Sequence, residues 1–123
     1  MENIRVLLID DEEELVSTQV ERLAIRNIEA EYVMSGPEAI KRLGEKEFDI
    51  AVLDYMLPGM SGVSVVRAIH EQFPRVKILL VTGHLQIHED QKENPDIENI
   101  DVLIKPIGLD VLISKLQEIV QRG

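Results

Sequence analysis

The sequence contains no cysteine, and this absence excludes disulfide bonds, thiolate catalysis and zinc sites with thiolate ligands. It also lacks any apolar run that approaches the length needed to span a bilayer. Its first residues have none of the apolar core of a signal peptide. We therefore predict a cytoplasmic protein with no membrane partner.

Positive charge is scarce as well. The 123 residues include 13 Lys and Arg against 23 Asp and Glu, which gives a formal net charge of −10. The basic residues are scattered among acids, whereas a nucleic-acid-binding surface needs a basic stripe, so we predict no direct nucleic-acid binding. With 45% hydrophobic and 29% charged residues, the chain has the composition of an ordinary globular protein. Its length predicts one domain over residues 1–123.

Short apolar runs alternate with stretches of helical period along the chain. This alternation is typical of an α/β fold in which helices cover both faces of a parallel sheet. The predicted strands are Ile4–Ile9, Ile28–Val33, Ile50–Leu53, Lys77–Val81 and Val102–Ile104. The predicted helices run from about Glu13 to Arg26, from Ser35-Gly36-Pro37-Glu38 to Gly44, from the end of the 53–62 loop to Phe73, and from about Gly108 to Gln121. The second strand alternates apolar and charged residues, which indicates a half-exposed edge.

The segment Gln86–Asn99 departs from this pattern. It is acidic, contains Pro95 and has only two apolar residues, Ile87 and Ile97. A crossover between parallel strands needs about a dozen residues and usually contains a helix. We therefore predict a fourth helix that is short, irregular, shifted or mobile.

Four polar landmarks each follow one of the apolar runs directly. They are Asp10-Asp11, Asp54, Thr82 and Lys105-Pro106. If the runs are parallel strands, all four emerge at the carboxyl edge of one sheet, where open α/β folds place their ligands. Each landmark alone has an ordinary explanation, such as a helix cap, a turn or a surface lysine. Their joint occurrence indicates a functional site at this edge of the sheet.

The residue types at this edge fit phosphoryl transfer. Two carboxylates about 4–5 Å apart repel each other by roughly 3–4 kcal/mol at an effective dielectric constant of about 20, so a cluster of three favours a bound cation. Oxygen ligands suit Mg²⁺, which also accepts phosphate oxygens. A lysine opposite the carboxylates would balance the charge of a transferred phosphoryl group.

These motifs, together with the loop Pro58-Gly59-Met60-Ser61-Gly62, resemble those of the receiver domains of bacterial two-component response regulators. The resemblance covers essentially the whole chain. It implies a chemotaxis-receiver-like, flavodoxin-like fold, which is a doubly wound, five-stranded parallel sheet with strand order 2-1-3-4-5. It also implies a phosphoaccepting signalling switch that assists its own phosphorylation and dephosphorylation, rather than an enzyme.

The resemblance further implies a role for each carboxylate. Asp54 would accept a phosphoryl group from a sensor histidine kinase or a histidine phosphotransfer protein. The cofactor Mg²⁺ would be held by Asp11, Asp54 and the backbone carbonyl of Met56, with Asp10 acting largely through water. Phosphorylation would then regulate an effector domain or a downstream protein, or link two copies of the chain into a dimer.

The remaining site residues would act on the phosphoryl group itself. Thr82 and Lys105 would bind its oxygens. The peptide bond before Pro106 would be cis, because receivers resemble one another in having a cis bond at this position. Met56 and His84 would flank the phosphoryl group and control the access of water. These expectations concern residues that all follow predicted strands.

The chain departs from the receiver pattern in the part that carries output. Receivers usually have an aromatic residue three positions before the lysine, where this chain has Val102. They commonly have Phe where this chain has Ile107. We therefore predict that the signal passes from Thr82 into a change of order or position of the segment Gln86–Asn99, because weakly anchored segments open most easily.

Three other functions use a similar fold or site. An aspartyl-phosphate hydrolase resembling the haloacid-dehalogenase family would carry Asp-x-Asp after the first strand, whereas this chain has Asp10-Asp11-Glu12. A flavin-binding module would need a loop of small residues there to bind phosphate, and these acids would repel it. An interaction module without phosphorylation is disfavoured by the complete set of acids, threonine and lysine.

Overall fold

The computed structural model describes residues 3–123, in which five parallel strands form one sheet. The strands are β1 (Arg5–Ile9), β2 (Glu29–Val33), β3 (Ile50–Asp54), β4 (Lys77–Thr82) and β5 (Asp101–Ile104). The helices are α1 (Glu13–Ile25), α2 (Gly36–Glu45), α3 (Gly62–Gln72), α4 (Ile87–Glu93) and α5 (Leu109–Arg122). The strand order is β2-β1-β3-β4-β5, which confirms the predicted flavodoxin-like order. Residues 1 and 2 of the predicted domain lie outside the described residues.

The three central strands consist almost wholly of buried apolar residues, because helices cover both faces of the sheet. Successive side chains of each strand point to opposite faces. On one face, residues such as Leu7 and Leu53 pack against α2, α3 and α4. On the other face, residues such as Leu8 and Val52 pack against α1 and α5. This burial on both sides holds the carboxyl ends of β1, β3 and β4 next to one another.

The edge strand β2 is only partly buried, as its alternating sequence predicted. Glu31 on this strand pairs with Arg42 Nε at 2.8 Å and with Lys46 Nζ at 2.6 Å. The hydrogen bond from Arg42, helped by Lys46, outweighs the effect of burial and lowers the pKa of Glu31. Charged side chains therefore border this edge of the sheet and disfavour its pairing with another strand.

Helix α2 begins where the sequence predicted. The Oγ of Ser35 accepts a hydrogen bond from Glu38 N at 3.3 Å, and Pro37 lies in the first turn, where its missing N–H leaves no helical bond unmade. The predicted end at Gly44 is wrong by one residue, since the helix continues to Glu45. Gly44 does not adopt the positive φ that ends many helices, so it does not stop this one.

Helix α4 has only seven residues, which confirms the prediction of a short fourth helix. Its segment is nevertheless better anchored than its composition indicated. Ile87 and Ile97 are fully buried. The side chain of Gln91 donates hydrogen bonds to the carbonyl oxygens of Ile97 and Ile100, each at 2.9 Å. A buried glutamine therefore compensates for the missing apolar stripe.

The helices of residues 3–123 are short compared with the thickness of a membrane. The longest of them, α5, has 14 residues, whereas a transmembrane helix needs about 20. None of these helices is long and apolar enough to cross a bilayer. The cytoplasmic location stays a prediction.

Candidate functional site

The predicted landmarks meet at the carboxyl edge of the sheet. Asp10 follows β1, Asp54 ends β3, Thr82 ends β4 and Lys105 follows β5. The residues Asp10, Asp54 and Thr82 are only 4%, 7% and 0% exposed. Burying charged groups costs free energy, and such groups concentrate at functional sites. Burying these side chains together at one edge of the sheet costs free energy, so a contribution to stability does not explain their position.

The ammonium group of Lys105 lies among three carboxylates. Its Nζ is 2.9 Å from Asp10 Oδ2, 2.9 Å from Glu12 Oε1 and 3.5 Å from Asp54 Oδ2. The peptide bond between Lys105 and Pro106 is cis, which confirms the prediction for this bond. One positive charge therefore faces three negative ones.

Glu12 belongs to this cluster, although it was not among the predicted site residues. Carboxylate oxygens of Asp10, Glu12 and Asp54 all lie within 4.8 Å of one another, a spacing that suits a single cation. Glu12 precedes α1, and its N–H donates a hydrogen bond to Asp10 Oδ1 at 2.9 Å. Its place directly after the acidic pair is the one sequence signal that points to it. Asp11, by contrast, is exposed and does not belong to this triad of carboxylates.

Burial and neighbouring charges shift the pKa values of the groups that face each other. Burial raises the pKa of Asp54 above its usual range, with a further increase from the charge of Asp10; the Met56 N–H at 3.1 Å and the Lys105 ammonium oppose this rise. Burial alone would lower the pKa of Lys105, but its hydrogen bonds to Asp10 and Glu12 raise it overall. The site thus holds a firmly charged ammonium group beside a carboxyl group that is costly to ionise.

The raised pKa of Asp54 predicts that this residue destabilises the metal-free protein at neutral pH. In the acidic range between its unfolded and folded pKa values, the folded chain binds more protons than the unfolded chain, so stability falls as pH rises through that range. Above the folded pKa the cost is fully present. Asp54→Asn should therefore raise the free energy of unfolding at pH 7 by on the order of 1 kcal/mol, measured by urea denaturation in the presence of EDTA.

Acidification should remove this advantage, because the parent carboxyl group is then neutral too. The difference between parent and variant should vanish below about pH 4, the ordinary pKa of an aspartic acid. Asp110→Asn is the matched control, since Asp110 is an exposed aspartate on α5 and its ion pair with Arg26 at 3.1 Å lies on the surface, where such pairs contribute little to stability. An Asp54→Asn variant that is less stable than the parent at pH 7 would contradict the role of burial.

Comparison with known families decides what this arrangement is. A family model described as the response regulator receiver domain matches residues 6–117. The chain belongs to this family. All the landmarks, from Asp10 to Lys105, lie within the matched residues.

The receiver domain is similar to parts of longer curated proteins. It is 30% identical over 121 residues to the regulatory protein VanRB of Enterococcus faecalis, a match that covers 98% of this chain and 54% of that protein. It is also 30% identical over 118 residues to the sensory transduction protein RegX3 of Mycobacterium tuberculosis, covering 96% of this chain and 51% of that protein. The chain thus spans about half the length of the curated relatives that it matches.

Solved structures of similar fold cover nearly the whole receiver domain. The chemotaxis protein CheY4 of Vibrio cholerae is 25% identical with a TM-score of 0.86, and the match covers 96% of this chain and 99% of that one. The response regulator TrrA of Thermotoga maritima, solved in complex with Mg²⁺-BeF, is 25% identical with a TM-score of 0.80. That match covers 94% of this chain and 98% of the TrrA chain.

A polar network adjoins the site of the receiver domain on the side of β4 and α4. The Oγ1 of the fully buried Thr82 accepts a hydrogen bond from His84 N at 2.9 Å. His84 Nε2 lies 3.2 Å from Asp90 Oδ2, and the same oxygen accepts a hydrogen bond from the Tyr55 hydroxyl at 3.1 Å. Sequence reasoning missed Tyr55 and Asp90, because the network joins three separate segments and leaves no local pattern.

Tyr55 is held in place by a close approach of the backbone. A Cβ atom added at Gly62 would lie 2.7 Å from the Tyr55 carbonyl oxygen and 2.6 Å from its ring, so this position requires glycine. Burial, and then the hydrogen bond to Asp90, raise the pKa of the Tyr55 phenol. The hydroxyl is therefore protonated at neutral pH and can donate. The next side chain, Met56, is 60% exposed.

The two residues that depart from the receiver pattern lie against the core. Val102 is partly buried and packs on the face of the sheet covered by α2, α3 and α4. Ile107 packs on the opposite face, with α1 and α5. Neither residue has a ring, so a switch that works by rotating an aromatic side chain at these positions is excluded by residue type.

Proposed function

We propose that this receiver domain is a phosphoaccepting switch, in which Asp54 takes a phosphoryl group from a phosphohistidine of a sensor histidine kinase or a histidine phosphotransfer protein. The observation that carries the proposal is the position of Asp54, which ends a buried central strand with Oδ2 3.5 Å from Lys105 Nζ. Its Oδ1 accepts the Met56 N–H at 3.1 Å, whereas Oδ2 has only the more distant ammonium group as a partner within residues 3–123. Oδ2 is therefore the oxygen that is free to attack.

The transfer forms one bond and breaks one. The Asp54 Oδ2 attacks phosphorus, and the P–N bond to the donor imidazole breaks. The electron pair of that bond leaves with the imidazole, which takes up a proton from solvent. The Lys105 ammonium group then balances part of the charge on the phosphoryl oxygens, and the Thr82 hydroxyl donates a hydrogen bond to one of them. Lys105 exchanges part of its contact with the carboxylates for this new partner.

The chemistry of the donor set fits Mg²⁺, which prefers oxygen ligands. Carboxylates of Asp10 and Asp54 converge with that of Glu12, and a single ammonium group does not balance three negative charges. We assign Mg²⁺ to Asp54, Asp11 and the backbone carbonyl of Met56, with Asp10 acting largely through water. When bound, the ion supplies positive charge to the carboxylates and the phosphoryl oxygens. The related TrrA was solved in complex with Mg²⁺-BeF, which supports Mg²⁺ as the metal of this family.

The acidic triad makes Glu12 a competitor of Asp11 for the role of metal ligand. A ligand that binds only the folded state stabilises it by RT ln(1 + [Mg²⁺]/Kd), about 2.7 kcal/mol at 100 times Kd. Asp11→Asn should lose most of this stabilisation, and its metal-free form should be more stable than the parent because repulsion is relieved. Glu12→Gln should keep most of the Mg²⁺ effect. Thermal denaturation with and without Mg²⁺ measures both, with the exposed Glu14→Gln as control.

The opposite pattern would reassign the metal site. If Glu12→Gln removes the Mg²⁺ effect while Asp11→Asn keeps it, the ion binds the triad of Asp10, Glu12 and Asp54 as the structure arranges it. A metal-free Asp11→Asn variant that is clearly less stable than the parent would contradict the repulsion argument.

The output of the switch follows from the same proposal. Phosphorylation would act on an effector domain or on a separate downstream protein, since the curated relatives are about twice as long as this chain. A phosphorylation-linked dimer remains a further prediction. The domain would assist its own phosphorylation and dephosphorylation and would act on no other substrate.

Acetyl phosphate tests the proposed function without a cognate kinase. In the presence of Mg²⁺, the chain should gain one phosphoryl group by intact mass spectrometry. In EDTA it should gain none. A chain that gains no phosphoryl group with Mg²⁺ present, while remaining folded, would overturn the proposal.

A further inference from the structure

Three residues outside the phosphoacceptor set form a compact cluster beside it. Asp90 Oδ2 accepts a hydrogen bond from the Tyr55 hydroxyl at 3.1 Å and lies 3.2 Å from His84 Nε2. The rings of Tyr55 and His84 are stacked, with centroids 6.2 Å apart and an angle of 20° between the planes. We call Tyr55, His84 and Asp90 the Asp90 clamp.

The clamp is attached to both sides of the phosphoacceptor site. Tyr55 directly follows Asp54, and its N–H donates a hydrogen bond to Val81 O at 2.9 Å on β4. The N–H of His84 donates to Thr82 Oγ1 at 2.9 Å. The Tyr55 ring is one residue along the chain from Asp54, and the His84 ring is two residues from Thr82. A movement of Asp54 or Thr82 therefore displaces one of the two rings.

The third member of the clamp lies on a helix that cannot stand alone. Helix α4 has seven residues and no side-chain N-cap, and isolated helices below about 12–15 residues are marginal in water. Its position therefore depends on tertiary contacts. Within the described chain these are chiefly the buried Ile87 and Gln91, and the two polar contacts of Asp90.

We propose that Asp90 is a positioning residue that couples α4 to the phosphoacceptor site, so that the clamp holds α4 in the unphosphorylated state and loosens when Asp54 is phosphorylated. This inference rests on the proposed function. It assigns the output of the switch to a contact of this chain, in place of the aromatic rotation that Val102 and Ile107 exclude by residue type.

The chemistry of Thr82 supplies the link. A hydroxyl group has one donor and two acceptor positions, so Thr82 can donate to a phosphoryl oxygen while its Oγ1 still accepts the His84 N–H. As Thr82 turns towards the phosphoryl group, the His84 backbone is drawn with it. The His84 ring is then pulled away from Asp90, and the stacked Tyr55 ring loses its neighbour. A single carboxylate oxygen serves both rings, so the two contacts weaken together.

Thermodynamic reciprocity makes the coupling measurable. If phosphorylation loosens the clamp, loosening the clamp must favour the phosphorylated form by the same factor. Asp90→Asn removes the charge that attracts both rings but keeps the size of the side chain. This variant should bind the phosphoryl mimic beryllofluoride, with Mg²⁺, about fivefold or more tightly than the parent, which is the lower end of typical coupling.

The experiment compares four versions of the full chain by amide NMR. They are the parent, Asp90→Asn, Tyr55→Phe and the control Glu89→Gln. Glu89 is an exposed neighbour on the same helix, and its carboxylate makes no hydrogen bond or ion pair within residues 3–123. Beryllofluoride affinity is titrated with Mg²⁺ present, and hydrogen exchange of residues 87–93 is measured before and after.

The clamp predicts three results. In the parent, beryllofluoride should increase exchange over residues 87–93. Without beryllofluoride, Asp90→Asn should already exchange faster than Glu89→Gln at these residues and should show a smaller further change. Tyr55→Phe, which loses one hydroxyl group and should fold normally, should shift affinity and exchange in the same direction by a smaller factor.

Results other than these three contradict either the coupling through the clamp or the proposed function. If Asp90→Asn behaves like Glu89→Gln in affinity or in exchange, the clamp does not couple α4 to the site, even though the parent is phosphorylated. If the parent neither binds beryllofluoride nor gains a phosphoryl group from acetyl phosphate, the proposed function fails and the coupling fails with it. Phosphoryl uptake by the parent therefore separates the two failures.

Discussion

Replacing Asp54 by Asn is expected to reduce phosphoryl uptake from acetyl phosphate and Mg²⁺ from one group per chain to none. An amide has no anionic oxygen to attack phosphorus, and the neighbouring Asp10 is already engaged, with Lys105 Nζ at 2.9 Å on one oxygen and Glu12 N at 2.9 Å on the other. Intact mass spectrometry measures the uptake, and peptide mapping after borohydride reduction locates the modified residue in the parent.

The loss should not come from unfolding, which makes this variant unusually clear to interpret. Burial raises the pKa of Asp54, so the variant is expected to be at least as stable as the parent at neutral pH. Asp110→Asn makes the same chemical change on the surface of α5 and should retain full uptake. Equal uptake by Asp54→Asn and the parent would show that another residue is the phosphoacceptor.

The fold could be predicted from the sequence because each central strand is a short apolar run closed by a polar residue. The run before Asp54 consists of Ile50–Leu53, and in the structure this strand is buried on both faces. Such a run has few alternatives in an alternating α/β chain. The end of α2 was less predictable, since Gly44 can stop a helix only by adopting a conformation that the sequence does not reveal.

The site was predictable where it depends on strand ends and unpredictable where it depends on side-chain direction. Asp54 and Lys105 are placed by the strands they follow, so topology alone brings them together. Glu12 reaches the site because the turn before α1 brings its carboxylate back towards Lys105. Gln91 anchors α4 through two backbone carbonyls, and a glutamine in an acidic segment gives no signal of burial.

The Asp90 clamp is the feature that the sequence predicted least well. The expectation that the signal reaches the segment Gln86–Asn99 rested on weak anchoring, whereas the structure gives this segment two buried isoleucines and a buried glutamine. A well-anchored helix moves only if one of its contacts changes with the state of the site. Asp90 makes contacts of that kind, since both of its partners adjoin residues of the site.

Replacing Lys105 by Met is expected to destabilise the metal-free protein by about 3 kcal/mol, because removing one partner of a buried ion pair leaves the other charge uncompensated. The side chain of Lys105 is 20% exposed and that of Asp10 only 5%. Asp54 and Glu12 would also lose their cation. Urea denaturation in EDTA measures the loss, and the exposed Lys41→Met on α2 should change stability by less than about 0.5 kcal/mol.

Mg²⁺ should reverse much of this loss. In the parent, the ion must share Asp54, and Asp10 through water, with the Lys105 ammonium group, whereas in Lys105→Met it meets these two carboxylates without a competitor. The rise in thermal midpoint on adding Mg²⁺ should therefore be larger in the variant than in the parent, as a lower Kd requires. A variant that is destabilised but gains no more from Mg²⁺ than the parent would mean that lysine and metal bind separate groups. If Mg²⁺ restores the stability of Lys105→Met but the variant shows no response to phosphorylation, Lys105 acts on the phosphoryl group. The metal then replaces the positive charge of the ammonium group among the carboxylates, but not the contact of that group with the oxygens of the transferred phosphoryl group.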